Sequence, residues 1–591
     1  MRTILQLVAA GAVELPVRTA AAILGFLAAG LACAQVQYRV EIDAPGEMAQ
    51  TLRQGLNLAR WQNDPQMTPD QLRRLADEAV REARETAATE GYFSAAASVA
   101  IEERPEQWVV RLTLDPGERT EVDDVDILFN GPATGDADAR ALLSRVREGW
   151  SLRRGQPFRQ EDWEAAKRGA VRALSSWRYA AARIARSEAL VDPATRRARL
   201  TVELDSGPPF RFGELRISGV RRYSERLVEN LSPFRAGNTY DRDQLLVYQR
   251  RLLESGYFVS VQADIDPAEG RPEASPVRVA VIEASTQHFE AGIGYSTDAG
   301  PRLEARYSNQ DVLDSAWRFR SGLRLDDKIR NLQVDFDSPP RPGARWNSLF
   351  ARARETDIQN ESTSELAAGV SHNWGAEVTP SALILSAHIE EQRVAGEVTD
   401  DRHAIYGGFR RSYRSTDDFI APRSGYLAMF EVGGALPGLA SRAFLRGIIS
   451  ASLFIPNGRR GDILLRGQAG RVLADSREGI PASFLFRTGG DQTVRGYGFE
   501  SLGVQQGNAI VGGRRLLVTS AEYTHWFTDS WGLAGFVDAG NAWDGDSELE
   551  AVVGVGLGAR FRTPIGPIRA DVAYGEQTGQ LRLHFSVGYS F

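Results

Sequence analysis

From about residue 285 to the last residue of the sequence, apolar and polar side chains alternate with a period of two, and no helical period interrupts them. Leu303, Ala305 and Tyr307 alternate with Arg302, Glu304 and Arg306, and Leu332, Val334 and Phe336 alternate with Gln333, Asp335 and Asp337. This is the pattern of strands with one apolar and one wet face. The apolar face has to meet a second sheet or lipid, and the period alone does not choose. Two details favour lipid: the turns are rich in Gly, Pro, Asp and Asn, and Leu581, Leu583, Phe585, Val587, Tyr589 and Phe591 share one face up to the final residue. The expected fold is a transmembrane β-barrel. A spanning strand takes about 9 to 11 residues, so residues 285–591 accommodate about 16 antiparallel strands with their turns.

Residues 35–284 read differently, as three unequal α+β units spanning 35–117, 118–207 and 208–284. Glu90-Gly91-Tyr92-Phe93, Ser176-Trp177-Arg178-Tyr179 and Ser255-Gly256-Tyr257-Phe258 each follow an amphipathic stretch and open a strand-like run. Thr68-Pro69-Asp70-Gln71 is a capping box with proline at the first helical position, and Leu72, Leu75, Ala79 and Val80 form the stripe behind it. The matching stripes are Trp163, Ala166, Ala170, Val171 and Leu174, then Leu245, Leu246, Leu252 and Leu253, with Gly256 as the residue that ends the helix. The junction aromatics are expected to plug small helix-on-sheet cores.

The first 34 residues read as a signal peptide: Arg18, an apolar run from Ala20 to Leu31, and the small-x-small pattern Ala32-Cys33-Ala34. A lipid-attachment reading of Cys33 lacks the usual leucine three residues earlier, where Gly30 stands. Beyond residue 34 no apolar run is long enough for a spanning helix. A net charge of −7 without a basic run argues against nucleic acid. One cysteine and six histidines, none at helical spacing from another, argue against a disulfide framework, a metal site or a cofactor. Neither a Gly-x-Ser-x-Gly elbow nor a nucleotide loop nor a His-Glu-x-x-His pair occurs, so catalysis is not indicated. Gly554-Val555-Gly556-Leu557-Gly558 is similar to a phosphate loop only in glycine content, and no helix is expected to follow it.

Between the strand-like runs Ile463–Leu473 and Leu516–Trp526 lie about 40 residues, longer than an ordinary connection. They contain Gly489-Gly490-Asp491-Gln492-Thr493-Val494-Arg495-Gly496-Tyr497-Gly498, and Phe536-Val537-Asp538-Ala539-Gly540 follows on a later strand. On these residues the chain resembles the BamA/TamA superfamily of outer-membrane insertases and transporters, whose barrels fold a Gly-Gly-x-x-Ser/Thr-Val-Arg-Gly-Tyr/Phe loop into the lumen. Alternation turns Asp538 and Gly540 into that lumen, where Asp538 needs a cation, and Arg495 is its expected bidentate partner.

The resemblance implies an outer-membrane barrel with its three N-terminal units, POTRA domains, in the periplasm. Three units resemble the TamA branch rather than the five of BamA or the two of two-partner secretion transporters. It further implies insertion of autotransporters and other β-barrel substrates through a seam between the first strand, His288–Ser296, and the last, Leu581–Phe591. Gly292, Gly294, Gly588 and Phe591 are the expected seam residues. The implied partners are a TamB-like inner-membrane-anchored protein on the POTRA units, unfolded barrel substrates and outer-membrane lipid. An alternative is a two-partner-secretion pore exporting a polypeptide through the lumen. A plug helix before the first unit would mark it, and the chain instead enters the strand-like Val36–Ile42 directly. A barrel enzyme is the third class.

Overall fold

A computed structural model describes residues 36–269, 271–375, 379–418, 421–545, 549–563 and 566–587; the expected signal peptide, Gly588 and Phe591 lie outside them. Contacts divide the chain between Pro209 and Phe210 into two bodies.

The first body holds two α+β units. One comprises β1 (Tyr38–Asp43), α1 (Gly46–Gly55), α2 (Asn57–Arg60), α3 (Pro69–Thr89), β2 (Ala96–Glu102) and β3 (Trp108–Asp115). The other comprises β4 (Glu121–Asn130), α4 (Arg140–Glu148), α5 (Gln160–Leu174), β5 (Arg183–Asp192) and β6 (Arg197–Asp205). The capping box forms as expected: Thr68 accepts from the Gln71 amide and Gln71 accepts from the Thr68 amide. The stripe of α3 is rotated from the expected one, burying Leu72, Ala76, Ala79, Ala83 and Ala87 and leaving Leu75 and Val80 at its margin. Alanines let the helix sit close on its sheet, which the larger residues would prevent.

The second body opens with β7 (Phe212–Ser218), α6 (Glu225–Asn230), α7 (Arg242–Glu254), β8 (Phe258–Ile265) and β9 (Ser275–Glu283). In α7 the buried stripe is Leu245, Tyr248 and Leu252, while the expected Leu246 and Leu253 are exposed. Tyr248 wins its place because its hydroxyl reaches the Val228 carbonyl at 2.9 Å. Gly256 ends α7 with φ of +76°, where glycine alone is unstrained. The three sheets share one order, β1-β3-β2, β4-β6-β5 and β7-β9-β8, with the last strand central and parallel to the first.

The barrel strands are β10 (Gln287–Ser296), β11 (Gly300–Val312), β12 (Trp317–Leu325), β13 (Ile329–Asp337), β14 (Arg345–Ile358), β15 (Glu361–Trp374), β16 (Ser381–Val394), β17 (Glu397–Thr416), β18 (Gly425–Ala435), β19 (Phe444–Asn457) and β20 (Gly461–Leu473). A small hairpin, β21 (Val504–Gln506) and β22 (Ala509–Val511), interrupts the series. It resumes with β23 (Arg515–Trp526), β24 (Trp531–Trp543), β25 (Val552–Thr563), β26 (Gly566–Gly575) and β27 (Gln580–Val587). Sixteen antiparallel strands close into a barrel. Leu332, Leu349, Leu366, Leu383, Ile389, Leu445, Ile449, Leu557 and Val572 lie exposed on its outer face, while Arg318, Glu365, Glu390, Glu522, Asp538 and Arg560 are buried within. A continuous apolar belt around charged interior walls is stable in lipid and not in water. No helix among the described residues is long and apolar enough to cross a membrane.

The third unit is tied to one end of the barrel. Tyr257, the buried junction aromatic, donates from its hydroxyl to the Ala316 carbonyl at 2.7 Å, and Arg318 donates to the Ser255 carbonyl at 3.1 Å. Asn230 donates to Pro340 in a second turn. A residue expected only as a core plug thus also bridges to the barrel.

Candidate functional site

Residues 474–514, between β20 and β23, do not project from the barrel. They carry their own apolar core: Ile480, Phe484, Phe486, Val494, Tyr497 and Leu502 pack with lumenal side chains such as Tyr406, Phe444 and Val518. A polar rim then fixes the strand-facing side. The structure places Gly489, Gly490, Val494, Arg495, Gly496 and Tyr497 at the tip, and brings Arg495 onto Asp538.

Arg495 is 2% exposed, so its guanidinium requires full compensation. Its Nε and Nη2 grip Asp538 at 2.7 and 3.0 Å, its backbone amide donates to the same carboxylate at 3.1 Å, and its Nη1 donates to Glu522 at 2.7 Å and Asp571 at 3.2 Å. The ring of Phe536 lies 3.3 Å from the guanidinium carbon. Burial disfavours the Arg495 cation, and Asp538 more than offsets this, so its pKa moves upward. Arg560 supplies the second cation, donating to Glu522 at 2.8 and 3.0 Å and to Asp571. Three carboxylates and two guanidiniums therefore form one closed network across β23 to β26 and the loop.

Glycines make this approach possible. At Gly554 a side chain would run into the Arg495 backbone carbonyl, at Gly556 into the Phe536 ring, and at Gly558 into Asp571 and Arg560. Gly540 likewise sits where a Cβ would meet the Leu517 carbonyl. Gly496 has φ of +91° and lies against β26, and Tyr497 donates to the Val553 carbonyl at 3.2 Å.

The same loop reaches the closure of the barrel. Among the described residues one ladder pair, Ser296 with Ser586, joins β10 to β27, extended by hydrogen bonds between Thr297 and Phe585. Asp298, in the turn after β10, accepts from the Asp491 amide at 2.7 Å and lies over Gly490, whose φ is +104°. His584 on β27 accepts from the Gly496 amide at 3.0 Å through Nε2 and faces Asp298 at 3.6 Å through Nδ1. One loop thus touches the first hairpin, the last strand and four strands before it. Burial opposes ionisation of Asp298, yet the nearby His584 imidazole and the hydrogen bond from the Asp491 amide hold it below the usual range; burial, with Asp298 beside it, pushes Asp491 up to about 6. Gly292 and Gly294 are different: a Cβ at either would meet nothing within 4 Å, so neither is required by close approach to another described residue. Glu522, Asp571, Arg560, Asp298 and His584 were not singled out from sequence as site residues, and Gly554, Gly556 and Gly558 were noted there only for a glycine content similar to a phosphate loop. Their alternate spacing in a period-two strand was the signal that could have placed all three glycines on one face.

No group of His, Cys, Asp and Glu suited to a metal occurs among the described residues. Comparison with known proteins gives a family match over residues 286–591 to the Omp85 superfamily domain, and over 210–283 to a POTRA repeat described as surface antigen variable number repeat. Among solved structures, BamA from Haemophilus ducreyi lacking POTRA domains 1-3 is similar at a TM-score of 0.57 and 14% identity, covering 80% of this chain and 100% of that one. CdiB from Escherichia coli is similar at a TM-score of 0.47 and 14% identity, covering 88% and 97%. At these identities the likeness is one of fold.

Proposed function

This chain belongs to the Omp85 superfamily, and from that premise we propose that it is an outer-membrane insertase of the TamA type that assembles autotransporters and other β-barrel proteins through the β10–β27 seam. The observation that carries the reading is the path of the loop. The lumenal loop is held along its length by β15–β17, and its tip is fixed rigidly to β23–β26 and lightly to the β10–β11 turn, two contacts on opposite sides of the strand closure. Release of the lighter one leaves the short Ser296–Ser586 and Thr297–Phe585 contacts as the described ties of β10 to β27, which can then part without unfolding the barrel wall. An emerging substrate strand then pairs with the exposed edge, satisfying backbone groups that lipid cannot. The three-stranded sheets of the N-terminal units keep open edge strands, and strand addition there suits a TamB-like partner and the incoming substrate. In this reading the barrel lies in the outer membrane and the three units in the periplasm.

A disulfide tests it. With Ser296→Cys and Ser586→Cys on the otherwise cysteine-free chain after residue 34, oxidation in intact outer membranes should block assembly of an autotransporter, and reductant should restore it. Full assembly with the bond formed would instead support export through the lumen.

A further inference from the structure

We propose that Ser386, His388 and Glu365 form an ester-hydrolysing site in the barrel lumen, with Ser386 as nucleophile, His388 as general base and Glu365 as the group that positions it. The three residues lie on β15 and β16, away from the Arg495 network, and the inference does not rest on the insertase reading. His388 Nδ1 is 2.8 Å from Glu365 Oε1, and His388 Nε2 is 2.8 Å from the Ser386 hydroxyl. Glu365 also accepts from Arg352 at 3.1 Å and from the Ser483 hydroxyl at 2.8 Å, the environment of an ionised carboxylate. An ionised carboxylate only accepts, so Nδ1 carries a proton, and in the neutral ring Nε2 is then the acceptor to which the serine hydroxyl donates. That is the proton arrangement a serine nucleophile requires.

Register brings the three together. Ser386 lies opposite Gly369 and His388 opposite Ala367, which leaves room for the imidazole to reach Glu365 diagonally. The ring is held edge-on to Phe484 of the loop at 4.8 Å. Loop anchoring accounts for Glu365 through Ser483, but it does not account for Ser386, whose hydroxyl is hydrogen-bonded to His388 and not to the loop. Ser386 and His388 both line a lumenal cavity of about 500 Å³, with Phe350, Ile384, Tyr406 and Phe484 among its apolar walls. Arg352 lines it too, with its Nη2 on Glu365. Arg320, Asp335, Arg410 and Arg446 line it as well, so the substrate class this mixed lining fits is a carboxylic ester whose acyl group packs on Phe350, Ile384 and Phe484 beside charged walls.

In the reaction Ser386 Oγ bonds to the ester carbonyl carbon while its proton passes to His388 Nε2. Collapse breaks the bond to the alcohol oxygen, which leaves with that proton. Water then attacks the acyl-serine, giving its proton to His388, and the carboxylic acid departs as the serine hydroxyl is restored.

The test uses the purified full chain, folded in detergent, with a fluorophosphonate probe and with p-nitrophenyl butyrate and octanoate. The expected result is one phosphonyl adduct mapped to Ser386, loss of adduct in Ser386→Ala, and ester turnover lower by about a hundredfold or more in that variant. Glu365→Gln should lower kcat while leaving KM unchanged, as a positioning residue does. Mapping the adduct on the unmutated chain decides the matter even if Ser386→Ala fails to fold. Absence of an adduct, an adduct on Ser483 or any other residue, or turnover unchanged in Ser386→Ala would each overturn the proposal.

Discussion

The loop's attachment through Arg495 and its attachment through Asp298 differ in kind. Arg495 is fully enclosed, makes five hydrogen bonds to three carboxylates, and stacks on an aromatic ring. Asp298 accepts one loop amide and faces one imidazole at 3.6 Å. The first cannot open without stranding buried charges, whereas the second exposes groups that water can satisfy. A gate needs both: a fixed end that keeps the loop in place and a light end that lets the seam part.

The largest effect is expected from Asp538→Arg, which removes the bidentate partner and sets a cation against Arg495. Breaking a buried pair of this kind costs about 3 to 5 kcal/mol. Limited proteolysis should then cut within 489–498, and substrate assembly should fall further than protein abundance. A protected loop would break the distinction between the two attachments. Gly554→Ala tests the same end from the wall, since a methyl there displaces the Arg495 backbone. A penalty of about 1 to 3 kcal/mol and partial loop cleavage are expected.

Asp298→Ala comes next. It removes the acceptor of the Asp491 amide and leaves the Arg495 network whole, at a cost of about 1 to 3 kcal/mol. Hydrogen exchange should quicken at Asp491 and in β27 and stay slow around Arg495. Equal quickening at both would mean that the loop releases as one piece.

Those differences also mark what a sequence can disclose. Period two and the apolar face of each strand reveal the barrel, and the Arg495 and Asp538 motifs reveal the heavier attachment, because both signals are local or recur as fixed strings. Asp298 and His584 are legible nowhere: a turn aspartate and an isolated histidine become partners only when the last strand meets the first. Glu522 and Asp571 look like any lumenal carboxylate until Arg495 arrives between them. Glu365 and Ser386 sit on separate strands, and only the register of β15 on β16 makes them neighbours of one imidazole. In the third unit, Leu246 and Leu253 read as core because leucine outranks tyrosine in apolarity, yet the Tyr248 hydroxyl found a carbonyl and its ring took the buried face.

Acidity sharpens the contrast further. Asp491 is pushed from 3.8 up to about 6, by burial first and then by Asp298. The docked loop therefore holds a proton that a released loop gives up from 3.8 upward, so docking is firmest at low pH and weakens as pH rises through about 6. The depressed Asp298 acts in the opposite sense, below its ordinary 3.8, outside that window. Protease protection of the loop tip should fall between about pH 4 and pH 7, and Asp491→Asn should abolish that fall. A pH dependence that survives Asp491→Asn would place the light end elsewhere.

The smallest effect belongs to the seam glycines. A methyl at Gly292 or Gly294 would meet nothing within 4 Å, so Gly292→Ala and Gly294→Ala add no clash among the described residues. Alanine instead removes the conformational freedom that glycine gives a strand paired along β11 but hardly along β27, favouring strand structure by about 0.5 to 1 kcal/mol. If weakness of β10 itself permits opening, these variants should slow substrate assembly slightly while raising heat stability. If the loop's lighter attachment sets the rate, assembly should be unchanged, and Asp298→Ala should remain the faster opener in either background.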